Sequence, residues 1–378
     1  MAKKLRVGVI FGGRSGEHEV SVRSAGSLIE AIDRKKYDVI PIAISQEGKW
    51  LSPPDAARLL PQSVQKRLSA TVRSDTASAA IVSDPSPTGL MALGQSENSP
   101  GSRPLDVVFP VLHGPFGEDG TLQGLLEMAG IPYVGCGVLA SACGMDKVAM
   151  KQLFRVAGLP MCRYTWFLRS RWQSDRSGVT RTVRREIGFP CFVKPANLGS
   201  SVGVSRAVDK ASFERAVDLA AQYDRKIIVE EGVDAREIEC AVLGNDEPEA
   251  SLPGEYVVHD NSAGFLDYAE KYTKTGHVEF VVPAPLSKAL TTRVRRMAIK
   301  AFQSVDGAGL ARVDFFFRRD TKELIVNELN TMPGLTEVSG FPKMWAATGL
   351  SYTKMLDRLI ALALERHQEK AMNKTTRA

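Results

Sequence analysis

ARVDFFFRRDTKELIVNELN, residues 311–330, contains two runs in which hydrophobic and polar residues alternate. Alternation with a period of two predicts β-strands, and the polar residues 318–321 between the runs predict a turn, so the stretch is expected to form a hairpin. A turn centred near residue 321 places position 314 opposite position 328. Because residues two apart on a strand share a face, one face of the hairpin gathers four polar side chains: Arg312, Asp314, Glu328 and Asn330.

This polar face predicts a metal site. Two carboxylates and an amide oxygen are hard ligands suited to Mg²⁺, which keeps several waters and usually binds through one or two protein carboxylates together with substrate phosphates. The alternative is a polar pair on a wet sheet face, in which Arg312 merely neutralises Asp314. The loop that follows, TMPGLTEVSGFP at 331–342, favours the metal because Gly334 can bring a backbone N–H to a developing oxyanion.

A second motif, FVKPANLGSSVGV at 192–204, suggests a phosphate-binding loop. A strand would deliver Lys194, and the small residues after it allow the backbone to approach a phosphate closely, with hydroxyl and N–H groups as donors. The alternative is a glycine hairpin with an incidental lysine. The loop is not a Walker A motif, because G-x-x-x-x-G-K-[ST] is absent.

Two Gly-rich loops near the N-terminus are further candidates: GGRSGEHEVS at 12–21 and HGPFGEDGTLQG at 113–124. Both follow predicted strands, where α/β sheets place their ligands. Glu17 would stand near a helix N-terminus, where a carboxylate can also serve merely as a cap. Neither loop is a G-x-G-x-x-G fingerprint, and His18 and His113 lack metal-ligand spacing, so hydride-transfer and zinc chemistry gain no support.

The order of predicted elements indicates an α/β organisation. Strand 5–11, helix 20–33 and strand 38–44 form a βαβ unit, which is followed by a Ser/Pro-rich surface loop within 51–104. The first domain is expected to end near Asp146. A small α+β unit follows, with strands at 191–194, 202–207 and 226–231, and the last third adds further strands, the hairpin and a terminal helix at 352–367.

Composition places the chain among ordinary soluble proteins of two or three domains. It has 378 residues and a net charge of +6, with Lys and Arg scattered among Asp and Glu, so nucleic acid is not an expected partner. Five cysteines without a C-x-x-C pair are typical of a reducing compartment. The N-terminal apolar run is too short for a signal peptide or a membrane span, so the expected location is cytoplasmic.

Taken together, these motifs resemble the D-alanine–D-alanine ligases of the ATP-grasp superfamily. The resemblance covers nearly the whole chain and rests on GGRSGEHEVS, HGPFGEDGTLQG, Met145-Asp146-Lys147, VKPANLGSSVGV, DYAEKY, ARVDFFF, NELNTMPGLTEVS and FPKM. It implies an α/β fold in which an N-terminal open α/β (pre-ATP-grasp) domain precedes a two-part ATP-grasp fold. The implied domains are 1–146, which binds substrate, 147–243, the central lid, and 244–378, which carries the metal site.

The resemblance also implies the nucleotide and metal ligands. ATP and two Mg²⁺ (or Mn²⁺) ions would bind between the last two domains. Lys147 and Lys194 would contact the nucleotide and its phosphates, with Ser201 in the same loop, while residues 230–233 would meet the adenine and Glu237 the ribose. The resulting set is Lys147, Lys194, Ser201, Glu230, Glu231, Val233 and Glu237 for ATP, and Asp314, Glu328 and Asn330 for the metals.

By the same resemblance the substrates are two D-alanines, joined through an acyl phosphate. Glu17 would receive the first ammonium group, and Ser200 and Tyr272 would link with it across the domains. The other implied positions are His113 near the first substrate, Lys271 at the transferred phosphoryl group, Arg312 and Gly334 at the oxyanion, and Ser339 at the second carboxylate. Relatives that make D-alanyl-D-lactate lack the tyrosine at position 272, so the dipeptide is expected.

Other functions stay open at this stage. They are another ATP-grasp carboxylate–amine ligase, a D-alanine–D-lactate ligase, and a nucleotide-binding regulatory protein without turnover. No membrane partner is expected, and a homodimer is expected only by analogy with the family.

Overall fold

The computed structural model describes residues 3–68, 79–81, 90–92, 105–258 and 278–374. Its strands are β1 (Leu5–Gly12), β2 (Tyr37–Ile44), β3 (Ala79–Ile81), β4 (Leu90–Ala92), β5 (Val107–Val111), β6 (Tyr164–Leu168), β7 (Cys191–Pro195), β8 (Ser205–Ala207), β9 (Lys226–Glu231), β10 (Ala235–Gly244), β11 (Glu249–Ala250), β12 (Gly254–Val258), β13 (Val278–Val281), β14 (Gly309–Arg318) and β15 (Leu324–Asn330). Its helices are α1 (His18–Ala31), α2 (Pro53–Arg58), α3 (Gln62–Leu68), α4 (Thr121–Met128), α5 (Val138–Met145), α6 (Lys147–Val156), α7 (Arg169–Ser174), α8 (Arg176–Glu186), α9 (Lys210–Tyr223), α10 (Lys288–Ser304), α11 (Gly340–Ala347) and α12 (Tyr352–Ala371).

The N-terminal part contains a parallel sheet in the order β2-β1-β5. All five residues of β5 are buried, as expected for parallel strands covered on both faces. The predicted βαβ unit is confirmed, and α1 begins at His18, two residues before the predicted start. Because parallel strands share their carboxyl ends, the loops after β1 and β5 meet at one edge of this sheet.

Helices α2 and α3 were not predicted from the sequence. Ser52 caps α2 by accepting a hydrogen bond from the N–H of Asp55 at 3.4 Å, and two prolines occupy the first turn. Val64 and Leu68 of α3 are buried in the same core as the parallel sheet. Both helices have fewer than eight residues, too few for hydrophobic periodicity to reveal them. The Ser/Pro-rich loop predicted near 70–100 lies largely outside the described residues.

The central part is an antiparallel sheet in the order β6-β9-β7-β8, with its own apolar core around Trp172 and Phe213. The predicted strand at 202–207 is wrong in its first half, because β8 begins only at Ser205. Ser200, Ser201 and Gly203 have φ angles of 52°, 57° and 72°. The left-handed backbone of the predicted Gly/Ser loop therefore extends to Gly203, where the apolar pattern predicted that the strand had already begun.

The C-terminal part is an antiparallel sheet in the order β13-β12-β10-β14-β15, with β11 paired to β10. The predicted β14–β15 hairpin is confirmed, and Asp314 pairs with Glu328 and Arg312 with Asn330. Nearer the turn the register differs by one residue, since Phe315 pairs with Val326, and the shift falls between Asp314 and Phe315. A bulge therefore supplies the residue that brings 314 opposite 328.

The N- and C-terminal parts share one hydrophobic core, which includes Val7, Leu28, Phe341 and Leu359. Helix α12 lies against the first domain, where Thr353 Oγ1 donates to the Ala31 carbonyl at 2.9 Å. The central sheet has a separate core. The cleft beside the hairpin therefore lies between a combined N- and C-terminal body and the central sheet.

Candidate active site

Arg312 lies between two carboxylates on the inner face of the hairpin. Its Nε and Nη2 atoms each donate to Asp314 at 2.6 Å, and Nε lies 3.2 Å from Oε1 of Glu239. The simple ion pair that competed with the metal interpretation is thus present. Glu239, on β10 opposite Asp314, was not predicted, because no local pattern links it to a hairpin that follows much later in the chain.

Glu328 faces the lysines of the central sheet and of α6. Its Oε2 atom lies 3.8 Å from Lys147 Nζ. Burial would raise the pKa of Glu328, but the positive charges of Lys147, Lys194 and Arg312 outweigh it and lower the pKa below the usual value. The carboxylate is therefore ionised at neutral pH, as a metal ligand must be.

The donor set on the hairpin fits Mg²⁺. Asp314, Glu328 and Asn330 present two carboxylates and an amide oxygen from adjoining positions of the two strands. Asn330 Oδ1 accepts a 2.9 Å hydrogen bond from the N–H of Met332, which orients the amide. Within the described ranges no group of three His, Cys, Asp or Glu side chains forms a metal cluster, so the amide is needed to complete the set.

Two lysines hold one buried glutamate in the cleft. Lys194 Nζ donates to Glu230 Oε2 at 2.7 Å, and Lys151 Nζ lies 3.1 Å from Glu230 Oε1. Nearby, Lys147 Nζ donates to the Leu198 carbonyl at 2.6 Å. Lys151 was not predicted as a site residue, although its position four residues after Lys147 on α6 puts both on one helical face.

The other residues predicted for ATP lie around the end of β9. Glu231 points to the opposite face from Glu230, and its carboxylate accepts from Arg163 at 2.7 Å and from Arg318 at 3.0 Å. Val233 follows in the connection to β10, and Glu237 lies on β10 opposite Phe316 and Tyr256. Glu231, Val233 and Glu237 thus follow one another from the end of β9 into β10. Of the glutamates predicted to bind ATP, Glu230 is the one whose carboxylate contacts Lys151 and Lys194.

Glu17 joins the N-terminal loop to the loop after β7. Its carboxylate accepts a hydrogen bond from Ser200 Oγ, across 183 residues of sequence. Burial and the charge of Glu118 raise the pKa of Glu17, while Ser200 and His113 oppose them. Although Glu17 occupies the N-cap position of α1, its side chain makes no capping hydrogen bond there. The capping alternative is therefore wrong.

The glycines around Glu17 leave room for its carboxylate. A Cβ atom on Gly114 would lie 3.2 Å from Oε2 of Glu17, and one on Gly199 would lie 3.6 Å from the same atom. Gly114 also has a φ of 80°, which disfavours any other residue. The loop at 113–124 and the loop after β7 thus both approach the Glu17 carboxylate.

His113 is buried beside Glu17 and Glu118. Its Nδ1 atom lies 3.7 Å from Oε1 of Glu118, whose Oε2 accepts from the Gly114 N–H at 3.1 Å. Burial alone would lower the pKa of His113, but the charges of Glu118 and Glu17 outweigh it and raise the pKa. The sequence placed Glu118 in the motif but did not identify it as the partner of His113.

The loop after β15 brings Gly334 next to Ser339. A Cβ on Gly334 would lie 3.1 Å from Ser339 Oγ, and Ser339 Oγ lies 2.6 Å from Thr336 Oγ1. Ser339 occupies the N-cap position of α11, next to Gly340 and Phe341, whose backbone N–H groups have no partner within a helix at that position. Ser201 is exposed beside Ser200, whereas Lys271 and Tyr272 lie outside the described residues.

The five cysteines are free thiols, as their spacing predicted. No helix among the described residues is long and apolar enough to cross a membrane.

Comparison with known proteins decides the family. The family described as "D-ala D-ala ligase N-terminus" matches residues 6–136, and "D-ala D-ala ligase C-terminus" matches residues 153–361. A D-alanine--D-alanine ligase from Natranaerobius thermophilus is 46% identical, over 99% of this chain and 98% of that protein. The chain belongs to the D-alanine–D-alanine ligase family.

Solved structures of this family agree with the fold. The D-alanine-D-alanine ligase from Coxiella burnetii has a TM-score of 0.81 and 35% identity, covering 98% of this chain and 97% of that one. The VanG D-Ala:D-Ser ligase from Enterococcus faecalis has a TM-score of 0.81 and 34% identity, covering 96% and 100%. The predicted ATP-grasp fold with an N-terminal α/β domain is confirmed.

Proposed function

We propose that this chain joins two D-alanines into D-alanyl-D-alanine at the expense of ATP, releasing ADP and phosphate for cell-wall precursor synthesis. The observation that carries the proposal is the meeting, in one cleft of a family member, of the Asp314–Glu328 pair with Lys147 and Lys194. Carboxylates that can hold a metal and lysines that can hold phosphates are what phosphoryl transfer from ATP requires.

In this proposal ATP lies between the central part, residues 147–243, and the C-terminal part, residues 244–378. Lys147 and Lys194 bind its phosphates, with Ser201 beside them. Glu230, Glu231 and Val233 contact the adenine, and Glu237 holds the ribose. The position of Val233 and Glu237 just beyond β9 supports this path.

Two Mg²⁺ ions, or Mn²⁺, would be held by Asp314, Glu328 and Asn330. When bound, they would neutralise charge on the ATP phosphates during transfer. The cations Arg312 and Lys147 now lie against Asp314 and Glu328. With the metals bound to the two carboxylates, Arg312 and Lys147 would be available to bind substrate oxygens.

The chemistry has two steps. A carboxylate oxygen of the first D-alanine attacks the γ-phosphorus of ATP, the bond to ADP breaks, and an acyl phosphate forms. The amine of the second D-alanine then attacks the acyl carbon, and phosphate leaves with its electron pair and the former carboxylate oxygen, taking up the proton that the amine nitrogen loses. Arg312 and the Gly334 N–H stabilise the oxyanion of the tetrahedral intermediate, and Lys271 contacts the transferred phosphoryl group.

Residues 1–146 orient the first substrate. Glu17 binds its ammonium group, and His113 lies close to the same site. Ser200, and with it Tyr272, links Glu17 to the other domains and keeps water from the acyl phosphate. Ser339, with the neighbouring backbone, holds the carboxylate of the second D-alanine, which agrees with its position at the start of α11.

The remaining features of the proposal are a cytoplasmic location and a homodimer, without nucleic-acid or membrane partners. DYAEKYT at 267–273 favours the dipeptide over the depsipeptide. D-serine is a second candidate for the amine substrate, because the VanG D-Ala:D-Ser ligase has the same TM-score as the Coxiella enzyme.

The test is phosphate release from ATP and Mg²⁺ with D-alanine alone, or with D-alanine plus D-serine, D-lactate or L-alanine, with each product identified by mass. We expect phosphate release that requires D-alanine and yields D-alanyl-D-alanine. ATP binding without D-alanine-dependent phosphate release would refute the proposal. A dominant mixed product with D-serine or D-lactate would reassign the second substrate.

A further inference from the structure

One lysine that the proposed chemistry does not use is enclosed in the cleft. The side chain of Lys151 is only 1% exposed and lies one helical turn after Lys147 on α6. Besides its contact with Glu230, its Nζ atom donates a 3.1 Å hydrogen bond to the Asn327 carbonyl and lies 3.9 Å from Cys162 Sγ. Burying an ammonium group is unfavourable unless it is paired, so Lys151 needs an explanation.

The partner of Lys151 is a carboxylate shared between two lysines. Glu230 is 3% exposed; its Oε1 atom faces Lys151 at 3.1 Å, and its Oε2 atom accepts from Lys194 at 2.7 Å. Burial would raise the pKa of Glu230, but the charges of Lys151 and Lys194 outweigh it and lower the pKa to about 2. The buried carboxylate is therefore charged and has two counter-ions.

The two lysines differ in their freedom to move. Lys194 is 14% exposed and lies near the end of β7, five residues before Gly199, where the Gly/Ser loop begins. Lys151 is enclosed and tied to β15 through the Asn327 carbonyl. If one of the two lysines turns from Glu230 toward an ATP phosphate, Lys194, the more exposed of the two, is the one placed to do so. Without a second cation, that release would leave a buried unpaired carboxylate.

We propose that Lys151 is a positioning residue of the nucleotide site: it is the fixed counter-ion of Glu230 and so frees Lys194 to move from Glu230 to a nucleotide phosphate. This inference rests on the proposed function, specifically on ATP binding between the central and C-terminal parts. In this proposal Lys151 also keeps the Glu230 carboxylate in place to accept a hydrogen bond from the adenine amine.

The test is the affinity of the full-length protein for ADP with Mg²⁺, measured by titration calorimetry for four proteins. These are the unaltered chain, Lys151→Met, Glu230→Gln and the double variant. Lys151→Met keeps the volume and removes the charge, so Lys194 must stay with Glu230, and we expect ADP to bind about ten-fold or more weakly. In the Glu230→Gln background there is no charge to balance, and we expect Lys151→Met to change affinity less than about three-fold.

A merely structural lysine would behave differently. If Lys151 only anchored α6 to β15, the loss in affinity would be as large in the Glu230→Gln background as with the native glutamate, and the inference would be overturned. An unchanged affinity in Lys151→Met would overturn it too. Should Lys151→Met fail to fold, the comparison within the Glu230→Gln background decides: a small change supports the inference and a large loss contradicts it.

A matched control is Lys210→Met, which removes a lysine paired with Glu214 on the exposed face of α9 and should leave ADP affinity unchanged. D-alanine-dependent turnover of the unaltered protein is measured in parallel. If the unaltered protein lacks turnover, the proposed function fails. If it has turnover but Lys151→Met binds ADP normally, only the role of Lys151 fails.

Discussion

At the scale of the residue, Asp314 and Glu328 illustrate how one arrangement serves two interpretations. They face each other across the hairpin, as a metal pair requires, and each also lies near a cation, Arg312 or Lys147. The ion pairs do not argue against metal binding, because the cations neutralise carboxylates that would otherwise repel each other. Variants that remove the negative charge separate the two roles.

Asp314→Asn and Glu328→Gln should each lower turnover by about 100-fold or more, since each loses an anionic metal ligand. Raising the Mg²⁺ concentration should recover part of the activity. Glu323→Gln, at the exposed far end of the same hairpin, is the control and should retain normal turnover. Near-normal rates in both hairpin-face variants would remove the metal assignment.

Glu17 makes a prediction about pH. Burial and Glu118 raise its pKa, so its charge is lost on acidification at a higher pH than for an ordinary glutamate. The KM of the first D-alanine should therefore rise as pH falls through this raised pKa, because a protonated Glu17 no longer attracts the ammonium group. Glu17→Gln should raise that KM about 10- to 100-fold and abolish its pH dependence. A KM equal to that of the unaltered protein would contradict the role.

The residues that sequence analysis missed share one physical property. Asp314 and Glu328 could be paired from the sequence because strand alternation and a short turn are local. Glu239 and Lys151 could not, because each meets its partner through tertiary packing between elements far apart in the chain. Glu118 was recognised in its loop, but nothing in the loop shows that its carboxylate turns toward His113.

At the scale of the element, α6 shows how a helix start positions a ligand. Asp146 caps α6 by accepting from the N–H groups of Val148 and Ala149 at 3.0 and 3.1 Å, and it also pairs with Lys226. Lys147 is the first residue of the helix. The cap therefore fixes both the helix and the lysine proposed to bind phosphate.

Asp146→Ala should lower the free energy of unfolding by about 1–2 kcal/mol, the usual cost of losing an N-cap, and should also raise the KM for ATP. Asp175→Ala is the matched control, because Asp175 caps α8 by accepting from the Gly178 N–H at 2.8 Å, away from the cleft. Urea denaturation should show a comparable loss in both variants, whereas only Asp146→Ala should change the KM. Equal KM values for ATP in Asp146→Ala and Asp175→Ala would contradict the proposal that the Asp146 cap positions Lys147.

Element boundaries also show what hydrophobic pattern can predict. The longer strands β1, β2 and β9 were predicted to within one residue at each end. The short helices α2 and α3 were missed, and the strand predicted from Val202 begins only at Ser205, because the left-handed turn that contains Ser200 and Ser201 extends to Gly203. Positive φ angles at serines are set by the contacts of the folded loop, here the bond from Ser200 to Glu17, so sequence pattern does not reveal them.

At the scale of the whole molecule, the N- and C-terminal parts share a core, while the central sheet has its own. A small apolar contact of Val148 in α6 with Ala196 and Ile228 joins the central sheet to α6. Polar links join it to the N-terminal part, such as Ser200 to Glu17 and Lys226 to Asp146. Polar links of this kind can open and close more easily than a packed core, which suits a cleft that must admit ATP and then exclude water.

Ser200→Ala should loosen the closed cleft and let water reach the acyl phosphate. We expect phosphate release to exceed dipeptide formation in this variant, whereas the unaltered protein should release one phosphate per dipeptide. Ser205→Ala, in β8 beyond the same loop, is the control and should stay coupled. A phosphate-to-dipeptide ratio that does not change in Ser200→Ala would show that this bond does not contribute to excluding water.

The central claim is that the cleft activates a carboxylate by phosphorylation, and the most direct measurement follows the oxygen atom. D-alanine labelled with ¹⁸O in its carboxylate is supplied with ATP and Mg²⁺, and the released phosphate is analysed by mass spectrometry. Attack of the carboxylate on the γ-phosphorus predicts that one ¹⁸O atom appears in each phosphate released with a dipeptide. Unlabelled phosphate alongside normal dipeptide formation would contradict the account.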